Sequence, residues 1–183
     1  MSQGDEPSKS SGAEQAPGPQ HAALPPTLEQ LREIGLFGGL GDAVLEEYVQ
    51  RLPLVLLEPG DLVFREGELG RELYVLLDGE MEIVKSGKSK REARVAMLGP
   101  GDWFGEMAIL DVMPRSASAR ALAPSRVLRM CAQDLDALYR RDLKSYSIIV
   151  LNIAREMSRR LRVADGLLAE VMSYMASGYE RRR

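Results

Sequence analysis

The sequence predicts a mainly β domain, a sandwich or barrel, with helices before and after it. Between Leu54 and Met130, short runs rich in Val, Leu, Ile, Phe and Tyr are separated by Pro59-Gly60-Asp61, Glu66-Gly67, Asp78-Gly79 and Gly99-Pro100-Gly101-Asp102. Those breaks have the residue chemistry of turns between strands. Within 80–85 and 94–98, polar and apolar residues partly alternate, as on a strand with one wet face. On both sides of this region the apolar spacing becomes three and four, the period of a helix.

Residues 1–26 are rich in Ser, Gly, Gln and Pro and nearly devoid of large apolar side chains. They cannot offset the entropy of ordering and are expected to form a disordered tail. Thr27 follows Pro25 and Pro26 and is placed to cap a helix in which Leu28, Leu31 and Ile34 lie three apart, stopping at Gly35. A second amphipathic segment from Ala43 to about Leu52 puts Val44, Leu45, Tyr48, Val49 and Leu52 on one side before Pro53 ends it. The polar, basic stretch from Ser86 to Arg91 reads as an exposed hairpin loop.

After Met130 the pattern turns helical, first at Leu135 and Leu138, then in one long helix over 143–177, with 178–183 a short tail. Val150, Ala154, Met157, Leu161, Ala164, Leu168, Val171 and Met175 alternate by four and three, the seam spacing of a coiled coil. The first half of that seam is expected to pack on the protein's own barrel. The second half is expected to meet a partner helix, so a homodimer through 157–175 is the natural assembly. The organisation is thus a tail over 1–26, a barrel with its first helices over 27–142, a long helix over 143–177 and a tail over 178–183.

Composition narrows the function. Lys and Arg total 24 against 27 for Asp and Glu, which offers no global field for nucleic acid. The three terminal arginines are too few to bind it alone. Cys131 is the single cysteine, so no intramolecular disulfide and no cysteine-rich zinc site is expected, in keeping with a cytoplasmic setting. His21 is the single histidine and falls in the tail, which argues against histidine-based catalysis. No apolar run reaches the roughly 20 residues of a membrane-spanning helix. A protein with no catalytic residues, no metal and no membrane or DNA partner is expected.

The chemistry concentrates in Phe104-Gly105-Glu106-Met107-Ala108-Ile109-Leu110-Asp111-Val112-Met113-Pro114-Arg115-Ser116-Ala117. Gly105 lets a ligand approach the backbone closely. A helix of one or two turns closed by Pro114 would offer free N–H groups at its start. Arg115 supplies a donor fork suited to phosphate oxygens, and Glu106 accepts from paired donors such as sugar hydroxyls. The competing structural reading is an internal Glu106–Arg115 ion pair that fixes a loop.

This string resembles the phosphate-binding cassette of cyclic-nucleotide-binding domains, as in protein kinase A regulatory subunits, cyclic-nucleotide-gated channels and the catabolite activator family. The elements F-G-E, a small apolar helix, a variable loop, then P-R and small residues occur in order, and the likeness extends from about Leu28 to about Leu168. It implies a double-stranded β-helix, or jelly-roll, barrel of eight strands with flanking helices. It implies a regulatory ligand, cAMP or cGMP, rather than a cofactor. Glu106 would bond the ribose 2′-hydroxyl and Arg115 the cyclic phosphate. Gly105, Met107 and Ala108 would help through backbone or wall, Ser116 and Ala117 would lie beside phosphate and base, and Phe104 would border the site or belong to the core.

Ser116 stands where cGMP binders of the family often carry threonine and strict cAMP binders alanine, and cAMP is favoured. Val63, Val75, Leu77, Val95 and Met97 are candidates for the base pocket. The family's lid is its C-terminal helix, here the helix beyond Leu143. Catabolite activators follow that helix with a helix-turn-helix, for which the chain to Arg183 leaves no room, so output through an unknown protein partner is expected. The alternative is a barrel without ligand that serves to dimerise or dock a partner.

Overall fold

The computed structural model describes residues 24–87, 91–111 and 113–180. The tail expected over 1–26 lies outside them up to residue 23, His21 included, as do 88–90 of the expected hairpin loop, Val112 and Arg181–Arg183. Helix α1, Leu28–Glu33, begins with a capping box: Gln30 N–H donates to the Thr27 hydroxyl oxygen, and Thr27 N–H to the Gln30 side chain. Helix α2, Asp42–Glu47, is shorter than its apolar pattern. The chain tightens into a 3-10 turn at Val49–Arg51 before Pro53.

Eight strands follow: β1 Leu54–Leu57, β2 Leu62–Phe64, β3 Glu72–Asp78, β4 Met81–Ser86, β5 Glu92–Leu98, β6 Trp103–Phe104, β7 Ser118–Ala121 and β8 Ser125–Cys131. They form two antiparallel four-stranded sheets, β1-β8-β3-β6 and β2-β7-β4-β5. The expected jelly-roll barrel is the fold. At the β3–β4 turn, Gly79 has φ +97°, and a Cβ there would fall 2.2 Å from the Ser125 hydroxyl, so only glycine fits.

The two faces of the first sheet explain its apolar runs. Inward, Tyr74, Leu76, Phe104 and Val127 meet Phe64, Met81, Leu98, Ala119 and Ala121 of the second sheet. Outward, Leu73, Val75, Leu77, Trp103, Leu128 and Met130 are covered by Leu31, Phe37, Leu45, Leu138, Ile149 and Ile153 from the helices. Strand β3 is therefore buried on both faces and shows no alternation. The second sheet carries the wet face. There burial does not alternate in β4, where Met81, Glu82 and Val84 are buried and Ile83 is half-buried, but does at the end of β5, where half-buried Ala96 and buried Leu98 flank exposed Met97.

Two helices close the domain, α4 Ala132–Arg141 and α5 Leu143–Glu180. The face of α5 on the core is Ser145, Ile149 and Ile153, one residue off the heptad seam. Of the seam's first half, Val150 and Met157 are partly buried and Ala154 is exposed. The expectation that this seam packs on the barrel holds in part: Met157 packs against the core beside Ile149 and Ile153, while Ala154 is exposed. Asn152 pins the helix by donating to the carbonyls of Leu36 at 3.0 Å and Gly38 at 2.9 Å.

Candidate ligand-binding site

Segment 104–117 connects β6 of the first sheet to β7 of the second. Phe104 opens it as a core aromatic. Its ring stacks on Tyr74 with centroids 5.5 Å apart, and Phe64 tilts against both. Helix α3 is a single turn, Met107–Leu110, capped by Asp111. It ends well before Pro114, so the proline does not close it as the sequence suggests. Ala108 and Ala117 are buried, while Met107 and Ser116 are exposed, with the Ser116 hydroxyl 3.6 Å from the Met107 sulfur.

Arg115 lies buried at the centre of the arrangement, and its backbone explains how. Its N–H donates to the Glu68 carbonyl at 2.8 Å, and its carbonyl accepts from Gly67 N–H at 2.9 Å, tying the segment to the β2–β3 loop. Its Nη1 donates to the carbonyls of Glu72 at 2.7 Å and Gly105 at 2.9 Å, and Nη2 donates to the Glu72 carboxylate at 3.0 Å. The guanidinium carbon sits 4.1 Å over the Phe64 ring, a cation–π contact. The Nε–H is buried and has no partner among the described residues.

Two glycines make room for this group. Gly105 has φ +83°, and a Cβ there would lie 2.8 Å from Nη1. A Cβ at Gly70 would lie 2.6 Å from Nη2 and 2.8 Å from Nε. Beside them, burial and the Glu72 carboxylate push the Tyr74 phenol above its ordinary pKa, partly offset by Arg115 and Arg129. It stays protonated at physiological pH.

Glu106 is buried directly before α3. Its Oε1 accepts from Arg160 Nη1 of α5 at 3.2 Å. Arg160 also donates to the Trp103 carbonyl at 2.8 Å and to the Glu156 carboxylate at 3.1 Å. Glu106 and Arg115 therefore each have another partner, and the internal pair weighed from sequence is not formed. Sequence reasoning missed Glu72, Gly70 and Arg160. They lie 43, 45 and 45 positions from Arg115, at the head of a strand, in a loop and among helix charges, where no local pattern marks them.

Of the five base-pocket candidates, Val63 packs on the barrel interior. Val75 and Leu77 face the helices, and Val95 and Met97 are exposed. The inward positions of β3 and β5 are Tyr74, Leu76, Ala96 and Leu98. A cavity of about 360 Å³ lies between α3, α4 and α5, lined by Ile109, Leu110, Leu135, Tyr139, Val150 and Ile153. It borders the back of the cassette helix rather than Arg115. Among the described residues no helix is long and apolar enough to cross a membrane, and no His, Cys, Asp and Glu group is placed for a metal.

Residues 54–142 match the family model of the cyclic nucleotide-binding domain. This stretch belongs to that family. The cyclic AMP receptor protein of Thermus thermophilus is 35% identical over 130 residues, covering 71% of this chain and 58% of the relative. A CRP-like cAMP-activated global transcriptional regulator of Mycobacterium tuberculosis is 33% identical over 144 residues, covering 79% and 62%. The chain thus spans about three fifths of the length of these curated relatives. The first is named as a receptor and the second as a transcriptional regulator.

Among solved structures, the Thermus thermophilus catabolite activator protein superposes with TM-score 0.67 at 34% identity, covering 75% of this chain and 62% of that one. The regulatory domain of Toxoplasma gondii protein kinase A with cAMP matches at TM-score 0.54 and 28% identity, over 60% of this chain and 41% of that one. The cyclic nucleotide-binding domain accounts for the two sheets, the cassette and the helices that cover the first sheet.

Proposed function

We propose that this domain is a cytoplasmic sensor of a cyclic nucleotide, cAMP in preference to cGMP, and that occupancy is passed to α5 and from there to a partner. The sensing unit is 27–142 and the moving element 143–177. The observation that carries the reading is the buried Arg115 fork, whose Nε–H has no partner among the described residues, set beside two glycines at which a Cβ would crowd it. A phosphate accepting from Nε and Nη2 would make the bidentate contact for which arginine is suited. It would compete with Glu72 for Nη2. Gly105 and Ala108 would wall the phosphate, with Ser116 and Ala117 beside it.

Glu106 would accept from the ribose hydroxyls, and since Arg160 already holds that carboxylate, the sugar and α5 would share one group. This gives the ligand a physical way to prefer one position of the helix, the condition for any switch. The cavity behind α3 leaves Ile109 and Leu110 space to shift. The helix seam over 157–175 would meet a second copy. The names of the relatives favour cAMP.

A second reading has its own observation: Arg115 and Glu106 are already satisfied in part by Glu72 and Arg160, as in a barrel that only dimerises or docks a partner. Calorimetric titration with cAMP and cGMP separates the two. The sensor binds one nucleotide per chain, and Arg115→Ala weakens binding by tens-fold to thousands-fold, equivalent to about 2–5 kcal/mol. Absence of heat with either nucleotide at millimolar concentration would favour the second reading.

A further inference from the structure

The barrel-facing stripe of α5 ends at Arg160, and every residue from Leu161 to Ala176 is exposed. On that exposed stretch Leu161, Leu168 and Met175 share one heptad position, and Ala164 and Val171 the next apolar one, which makes them a and d. Leucine at a with a β-branched residue at d favours more than two strands, the reverse of the order that favours pairs. The flanking g and e positions, usually charged in a two-stranded coil, hold Leu167, Met172 and Tyr174, with Asp165 the one charge among them. From Gly166 to Ala176 the only charged residue is Glu170. A helix apolar over most of its girth is covered by more than one neighbour, and a single seam partner leaves Leu167 and Met172 in water.

We propose that residues 161–176 of α5 join three further copies of themselves in a parallel four-helix bundle, two seam-paired dimers meeting through Leu167 and Met172. The occupant is a second pair of the same chain because the pattern is that of a repeated seam: the a and d residues close each pair, and apolar residues lie on both sides of it. This rests on self-association through 157–175 and extends it from two copies to four. It does not depend on whether nucleotide binds.

Sedimentation equilibrium of the 183-residue protein at micromolar concentration tests it. The expected mass is four times the 20.2 kDa chain. Leu167→Glu with Met172→Glu is expected to halve that mass, and Leu168→Glu to reduce it to one chain, with thermal unfolding of the barrel unchanged in each. A wild-type mass of two or three chains overturns the bundle while keeping self-association. A mass of one chain overturns both. Retention of four by the Leu167 and Met172 double variant overturns the assignment of those residues.

Discussion

Arg115 shows how much of this domain's chemistry depends on what is missing around one side chain. Its guanidinium is held by two carbonyls and a carboxylate, and the space it fills exists because positions 70 and 105 have no Cβ. Gly70→Ala would place a methyl group within 2.6 Å of Nη2, closer than real contacts allow, so the fork must rotate or the loop must yield. The expected outcome is nucleotide affinity lowered at least tens-fold in titration, with the circular dichroism of the barrel retained. Unchanged affinity would mean the loop yields and Arg115 is not held by that wall.

Glu82 teaches a different lesson about buried charge. It sits under Arg120 and Arg94 on the outer face of the second sheet, and their hydrogen bonds hold its carboxyl below the usual range although burial pushes the other way. A carboxylate whose folded pKa is depressed contributes stability that is fully present above the unfolded value of about 4.3 and is lost as pH falls through the folded one. Glu82→Gln is therefore expected to melt lower than wild type at neutral pH, and the gap is expected to close on acidification below about pH 4. A gap independent of pH would assign the difference to packing.

Among the elements, α5 carries three roles on different faces. Ile149 and Ile153 are fully buried against the barrel, Asn152 and Arg160 make its polar ties, and the seam from Leu161 onward leaves the domain. The polar ties differ in reach. Asn152 fixes the helix to the turn after α1, whereas Arg160 fixes it to Glu106. Arg160→Gln removes the charge that joins cassette and helix while leaving Ile149 and Ile153 in place. In hydrogen exchange, cAMP is expected to change protection of 155–165 in wild type and not in the variant. Equal changes in both would show that coupling runs through α3 and the cavity behind it instead.

At the scale of the whole molecule, one sheet is sandwiched between the barrel interior and the helices and the other faces solvent on one side. That asymmetry made parts of the fold legible in sequence and hid others. The turn glycines, the Thr27 cap and the cassette string are local features, decided by residues within a few positions of each other, and they were readable for that reason. Which side of β3 faces inward was not readable, because both sides are apolar. Val75 and Leu77 turned out to face the helices and Tyr74 and Leu76 the interior. By itself the sequence determined a strand-rich barrel with helices at both ends and a short segment between two strands holding Glu106 and Arg115. Only the tertiary structure decided the partners of those two charges, Arg160 and Glu72. The pairing of strands brings together groups tens of residues apart, and no spacing along the chain records that.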